Sequence, residues 1–222
     1  MQIIGHIHSP YAEKFGIPRQ SGLVPAARAR LKLDPQFAPA EALRGLEDCS
    51  HLWILWLAHV TEGWRPTVRP PRLGGNRRMG VYASRSPFRP NPIGLSAVRL
   101  EAVQIGPPPV LELSGGDFLD GTPVIDIKPY LPWADALPDA QGGFADQAPA
   151  ADLAVEFPRE SSAEALSPTD RELIRQTLAQ DPRPAYHDDS AREYGSRIAD
   201  WEVRWQVIDG RVRIRSLSRV HG

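Results

Sequence analysis

"LSAVRLEAVQIGPPPVLELSGGDFLDGTPVIDIKPY", residues 95–130, decides the fold. Within it "LSAVRLEAVQI", "VLELSG" and "PVIDIKPY" are short apolar or alternating runs set apart by Gly and Pro clusters. Such punctuation marks strands rather than helices. Working upstream, "QIIGHIH" (Gln2–His8) alternates like a half-buried strand, "RLKL" (Arg30–Leu33) gives a short one, and "GVYASR" (Gly80–Arg85) another. "LWILWLA" (Leu52–Ala58) is too short and too aromatic for a typical helix, so it is expected as a fully buried strand. Only "APAEALRGLED" (Ala38–Asp48) has helical composition here, with Leu43 and Leu46 spaced to share a face. Many short strands with one helix point to a closed or nearly closed β-barrel.

From about residue 132 the chain changes character. "PWADALPDAQGGFADQAPAADLAVEFP" (Pro132–Pro158) is rich in Ala, Pro, Gly and Asp and reads as a surface excursion, with a short strand at Leu153–Phe157. "SPTDRELIRQTLAQDP" then predicts a helix: Ser167 caps it, Pro168 suits its first turn, and Asp181-Pro182 ends it. "WEVRWQVIDGRVRIRSL" places Trp201, Val203, Trp205 and Val207 on one face, and Asp209-Gly210 turns the chain into a hairpin. The expected fold class is mainly β with an α+β appendage. Residues 1–155 form the barrel domain, excursion included, and residues 156–222 a small helix-and-hairpin domain.

With 222 residues the chain can bury one sizeable core, or a main domain plus a small one. Cys49 is the single cysteine, which excludes an internal disulfide framework and suits a reducing cytoplasm. The longest apolar run is seven residues, against about 20 for a membrane helix, and "MQIIGHIHSPY" lacks the regions of a signal peptide. A soluble cytoplasmic protein without a membrane partner is expected.

Net charge is -1, but charge is segregated. Eight arginines lie between Arg65 and Arg99, with no Lys, Asp or Glu among them. Arginines in such a stretch often pair with acids elsewhere in a fold. All being Arg rather than Lys favours planar, bidentate contacts to phosphate or carboxylate. At the centre is "RSPFRPNPIG" (Arg85–Gly94), whose three prolines and one glycine stiffen a loop carrying two arginines.

The usual nucleotide cradles are absent: no "GxGxxG" follows a strand, and no Walker sequence occurs. The glycine pairs in "RLGGN" and "SGGD" read as turns. His6, His8, His51 and His59 do not complete a metal-ligand set, so no metal is expected. In "DGTPVIDIKPY", strand alternation puts Val124, Asp126 and Lys128 on one face, as a salt pair or as a pocket lining. "DPRPAY" (Asp181–Tyr186) offers Arg183 and Tyr186 on a stiff turn, suited to a phosphate and a base. A non-catalytic RNA-binding barrel and a metal-dependent hydrolase are the rival classes.

"SPYAEKFGIPRQ" (Ser9–Gln20), "CSHLWIL" (Cys49–Leu55), "GWRPTVRPPRLGGN" (Gly63–Asn76), "MGV", "RSPFRPNPIG", "DGTPVIDIKPYLP" and "DPRPAY" occur in one order along nearly the whole chain. In this the chain resembles the TrmO family, also called TsaA- or YaeB-like, of bacterial tRNA methyltransferases. The resemblance implies a dimeric β-barrel enzyme that uses S-adenosylmethionine without a Rossmann domain. It implies methylation of the exocyclic nitrogen of N6-threonylcarbamoyladenosine, next to the anticodon of threonine tRNA, with the C-terminal domain helping to hold the anticodon stem-loop.

Carried over by motif, Pro18, Arg19 and Gln20 are expected to touch the cofactor. His59 stands where the pocket opens, Arg85 and Leu95 frame the loop, and Asp126, Ile127, Lys128 and Pro129 border the cofactor from the other side. His59 and Asp126 are the candidate catalytic bases. Arg65, Arg69, Arg72, Arg77, Arg78 and Arg89, with Arg183 and Tyr186, are the candidates for RNA.

Overall fold

The computed structural model describes residues 1–74, 77–149, 153–158, 166–183 and 191–220, without the side chain of Arg72. The sequence-predicted RNA contacts Tyr186 and the Arg72 side chain therefore lie outside the described residues. The first half contains β1 (Gly5–His8), β2 (Arg28–Leu33), the one-turn helix α1 (Ala40–Leu43), β3 (His51–Leu57), β4 (Thr67–Val68) and β5 (Met79–Gly80). It continues with β6 (Ile93–Gln104), β7 (Val110–Ser114), β8 (Pro123–Pro129) and the one-turn helix α2 (Pro132–Asp135).

Among the described residues, six strands close into a barrel in the order β1-β2-β7-β6-β3-β8. Every pair is antiparallel. Closure removes the exposed edges that strands this short would otherwise present. Alternation fills the interior: β2 turns Ala29, Leu31 and Leu33 inward and its Arg and Lys outward. They meet Ile7, Leu52, Ile54, Val98, Leu111, Leu113 and Val124 in one apolar core.

Three expectations need correction. The helix expected over Ala38–Asp48 is two pieces, because Gly45 takes φ 83° between α1 and a single 3-10 turn at Leu46–Asp48. Of "GVYASR" only Gly80 lies in a strand, the end of Met79–Gly80, after which Val81–Ala83 coil into a 3-10 turn with Val81 buried. In β8 the pairing passes from Leu55↔Asp126 to Trp56↔Val124, so Ile125 is an extra residue, a β-bulge. The bulge breaks the alternation: Val124 is in the core, Ile127 packs against it, and Asp126 and Lys128 face outward as an ion pair at 2.9 Å.

The C-terminal part holds β9 (Ala154–Glu156), α3 (Pro168–Ala179), β10 (Tyr194–Ile198), β11 (Trp201–Ile208) and β12 (Arg211–Arg219), with sheet order β10-β11-β12-β9. The Ser167 hydroxyl accepts from the Asp170 N–H at 3.0 Å, the expected cap of α3. Trp201, Val203, Trp205 and Val207 face the core as their spacing predicts. Asp209 (φ 50°) and Gly210 (φ 69°) make the tight turn. β10 had not been expected, and β9 crosses the boundary expected between 155 and 156, pairing parallel with β12.

The second core does not belong to the C-terminal residues alone. Tyr11, Val24 and Ala27, from the connection between β1 and β2, are buried in it. The Tyr11 hydroxyl lies 3.2 Å from that of Thr177 on α3, the Ala26 N–H donates to Gln176 Oε1, and Gln180 Nε2 donates to the Leu23 carbonyl. Burial pushes the Tyr11 phenol well above its ordinary range, so the hydroxyl stays protonated. The α3 unit thus clamps the β1–β2 connection to the barrel.

Candidate active site

That clamped connection forms one wall of a cavity of about 670 Å³. Lys14, Ile17, Pro18, Arg19 and Gln20 come from it; Trp56, Ala58 and His59 come from the end of β3 and the residues after it. The stiff loop adds Arg85, Pro87, Phe88, Arg89 and Asn91, β6 adds Leu95, and the β7–β8 connection adds Asp117, Leu119 and Thr122. The volume lies within the range of small-molecule sites, about 300–1,000 Å³.

Among the expected cofactor residues, Pro18, Arg19, Gln20, His59, Arg85 and Leu95 all line this cavity. Arg85 Nη1 donates to Gln20 Oε1 at 2.6 Å, so loop and connection meet across the opening. Arg19 Nη2 reaches the Arg183 carbonyl at 3.3 Å, tying the same wall to the turn that ends α3. Asp126, Ile127, Lys128 and Pro129 do not line it. The bulge at Ile125 is the reason: Asp126 is turned outward to Lys128, and its other oxygen accepts from the Ile127 N–H. A base at Asp126 is therefore not supplied to this cavity by its own chain.

Two of the arginines expected for RNA are spent on the protein itself. Arg89 donates from Nε to the Ser86 carbonyl at 3.1 Å, and from Nη2 to the carbonyls of Val81 and Ser84. It is the internal brace of the loop. Arg183 makes a bidentate pair with Asp181 at 2.7 and 2.8 Å, its side chain only 16% exposed. Arg65, Arg69, Arg77 and Arg78 are exposed, on and around the two-stranded β4–β5 flap. Arg78 reaches Thr67 Oγ1 at 3.1 Å. The Arg65 guanidinium lies 5.0 Å from the centre of the Phe88 ring, which joins the flap to the cavity wall. Trp64 and Tyr82 are exposed, and the Tyr82 ring lies 5.6 Å from the Arg89 guanidinium.

The residue that sequence reading missed is Asp117. "SGGD" does turn the chain, with Gly115 at φ 74°, but its product is a carboxylate delivered to the cavity wall. Gly116 lets the turn tuck under Phe118, whose ring would lie 2.6 Å from any Cβ there. Asp117 Oδ1 accepts from Ser96 Oγ at 2.6 Å, and Ser96 Oγ accepts from Trp56 Nε1 at 3.0 Å. Burial raises the Asp117 carboxyl above the usual range, opposed by the Ser96 hydroxyl, by its own and the Ser21 backbone N–H, and by the nearby Arg85 charge. The available signal was a Gly pair followed by Asp at the end of a buried strand.

A model of the tRNA-methyltransferase O N-terminal domain matches residues 6–136, and one of the TrmO C-terminal domain matches residues 150–220. The chain belongs to the TrmO family. It is 51% identical over 225 residues to the tRNA (adenine(37)-N6)-methyltransferase of Escherichia coli K12, covering 97% of this chain and 96% of that protein. A Pseudomonas aeruginosa relative, provisionally named an S-adenosylmethionine-dependent methyltransferase, is 52% identical over 211 residues, with 91% and 90% covered. The crystal structure of TrmO from Pseudomonas aeruginosa superposes with a TM-score of 0.81 at 43% identity, over 98% of this chain and 95% of that one. Among the described residues no three His, Cys, Asp or Glu side chains converge as metal ligands, and no helix is long and apolar enough to cross a membrane.

Proposed function

We propose that the atom methylated is the exocyclic nitrogen of N6-threonylcarbamoyladenosine, next to the anticodon of threonine tRNA. The chain is an S-adenosylmethionine-dependent tRNA (adenine(37)-N6)-methyltransferase of the TrmO family. The observation that carries the finer reading is the wall of the cavity. Donors Lys14, Arg19 and Arg85 surround it, and Asp117 is its carboxylate.

S-adenosylmethionine, when bound, supplies an electrophilic methyl group on a sulfonium, with a carboxylate and an ammonium at its other end. The residues present fit that group. Arg19 and Arg85 suit its carboxylate, and Trp56, Phe88 and Leu95 offer apolar surface. Pro18, Gln20 and His59 complete the proposed contacts. Methyl transfer needs nucleophile and methyl held in line in a site that excludes water, so positioning supplies most of the rate. A loop braced internally by Arg89 and three prolines loses little entropy on closing against a ligand.

On the RNA side, the substrate's threonyl carboxylate and the anticodon phosphates require cations, for which the exposed Arg65, Arg69, Arg77 and Arg78 are suited, Arg65 lying against Phe88 of the cavity wall. The exposed Tyr82 ring suits stacking by an unpaired base. We further propose that the enzyme works in the cytoplasm as a homodimer. The test is methylation of threonine tRNA by the purified chain, with and without the threonylcarbamoyl group, followed by nucleoside mass spectrometry. Transfer only to the modified tRNA is expected; equal transfer to unmodified tRNA would overturn the substrate assignment.

A further inference from the structure

We propose that Asp117 is the proton acceptor for the attacking nitrogen, held in position by the Ser96 hydroxyl. This rests on the reading of the chain as an N6-methyltransferase acting on a carbamoylated adenosine.

The nitrogen of such a nucleoside bears one hydrogen and is flanked by the purine ring and a carbonyl. Its lone pair is delocalised into both, so attack is poor unless the proton leaves at or before bond formation. The balance is simple. The N–H proton passes to a carboxylate oxygen and the nitrogen pair forms the N–C bond. The C–S bond breaks with its electrons left on sulfur, giving a neutral thioether. No oxidant or metal is required, only a base within reach.

The cavity wall restricts the choice of base. Lys14, Arg19, Arg85 and Arg89 are donors with no acceptor capacity. His59 is exposed beyond the end of β3. Among the described lining residues Asp117 is the one carboxylate. It forms no ion pair within the described structure, unlike Asp126 with Lys128 or Asp181 with Arg183. A carboxylate has about four lone-pair positions. Ser96 Oγ takes one, and the backbone N–H groups of Ser21 and of Asp117 itself take two more, which leaves one position on a carboxylate that lines the cavity.

Its surroundings suit the role. Partial burial favours the protonated form and so strengthens the carboxylate as a base, while the three donors keep it aimed. The charged or titratable groups that face it are Arg85 from the stiff loop and Tyr11 from the β1–β2 connection, with the cavity's Lys14, Arg19, Arg89 and His59 further along the wall. The Tyr11 hydroxyl is engaged with Thr177 and buried, so it is no competing base. Trp56 fixes the Ser96 hydroxyl from its other side, which leaves that hydrogen directed at Asp117.

The test uses the full chain and Asp117→Asn, with two readouts. Calorimetry with S-adenosylhomocysteine reports the cofactor site, and single-turnover methylation of threonylcarbamoylated tRNA at saturating cofactor reports chemistry across pH. The expected result is affinity within about threefold of wild type, a rate about 10²–10⁴-fold lower, and loss of the acidic limb of the wild-type rate profile. A tenfold or greater loss of affinity, or a rate left unchanged, would overturn the assignment. Ser96→Ala provides a second test that keeps the carboxylate. Without the hydroxyl's hydrogen bond to the ionised form, the acidic limb should move to higher pH, and an unmoved limb counts against the proposal. If wild type transfers no methyl group, the reading of the activity itself fails. Wild-type transfer with an unaffected Asp117→Asn rate faults Asp117 alone.

Discussion

Gly94 lies directly opposite Trp56 in the β3–β6 pair, and the indole fills the space where a Cβ at position 94 would stand, 2.1 Å from the nearest ring atom. This explains why the stiff loop ends in glycine. The indole can fold flat over β6, cap the cavity floor and hold Ser96. Gly94→Ala should displace the ring and cost about 1–3 kcal/mol, as overpacking does. Thermal denaturation and S-adenosylhomocysteine titration should both show the loss. A variant with wild-type affinity and melting temperature would mean that the ring can move freely.

Tyr11 carries the coupling between the two cores. Tyr11→Phe removes one hydrogen bond to Thr177 while keeping the ring, at a cost of about 0.5–1.5 kcal/mol. The β1–β2 connection should loosen, so cofactor affinity should fall along with the melting temperature. A stability loss with unchanged affinity would show that the clamp does not reach Arg19 and Gln20.

Asp126 is now expected to behave as a surface residue. Its ion pair with Lys128 is about half exposed, and such pairs contribute about 0–1 kcal/mol. Asp126→Asn should leave S-adenosylhomocysteine affinity and single-turnover rate within about twofold of wild type. A tenfold change in either would mean that the outward face of β8 serves the site, for instance across a subunit contact.

Much of this was legible in the sequence because it depends on local pattern. Barrel strands announce themselves by alternation, α3 by its cap, and the hairpin by Asp209-Gly210. The cavity segments "PRQ", His59 and Arg85–Leu95 followed from motif resemblance. What escaped depended on partners far along the chain. The bulge at Ile125 appears only once β8 is paired with β3, and simple alternation without it puts Asp126 on the face of Val124. Asp117 reads as a turn residue because its partner Ser96 lies 21 residues away, and Trp56, which holds Ser96, lies a further 40 residues upstream. β10 is short and polar, and pairing with β11 defines it.

The Asp117 carboxyl gives a pH prediction with a definite sign. Its folded-state pKa is raised, so in the window just above the ordinary value of 3.8 the folded chain holds a proton that the unfolded chain has released. Stability from this group is present below that window and is lost as pH rises through it. The melting temperature of wild type minus that of Asp117→Asn should therefore decrease as pH is raised from about 4. A difference that grows with pH would mean that the folded site favours the ionised form.

RNA binding should depend on salt through the exposed arginines. Each phosphate contact on a single strand contributes about 0.7 to the slope of log affinity against log salt. Replacing Arg69 and Arg77 together should flatten that slope, with S-adenosylhomocysteine affinity unchanged. Tyr82→Ala should weaken tRNA binding by about 1–3 kcal/mol without altering the slope. An unaltered slope in the double variant would return both arginines to the role of solvated surface.

Nucleoside mass spectrometry of tRNA from a strain lacking the gene identifies the methylated nucleoside. N6-methylated threonylcarbamoyladenosine should vanish, its unmethylated precursor should rise in proportion, and the native chain should restore the methyl group while Asp117→Asn should not. Persistence of the methylated nucleoside at the wild-type level, with no other methylase encoded, would mean that this protein does not methylate it.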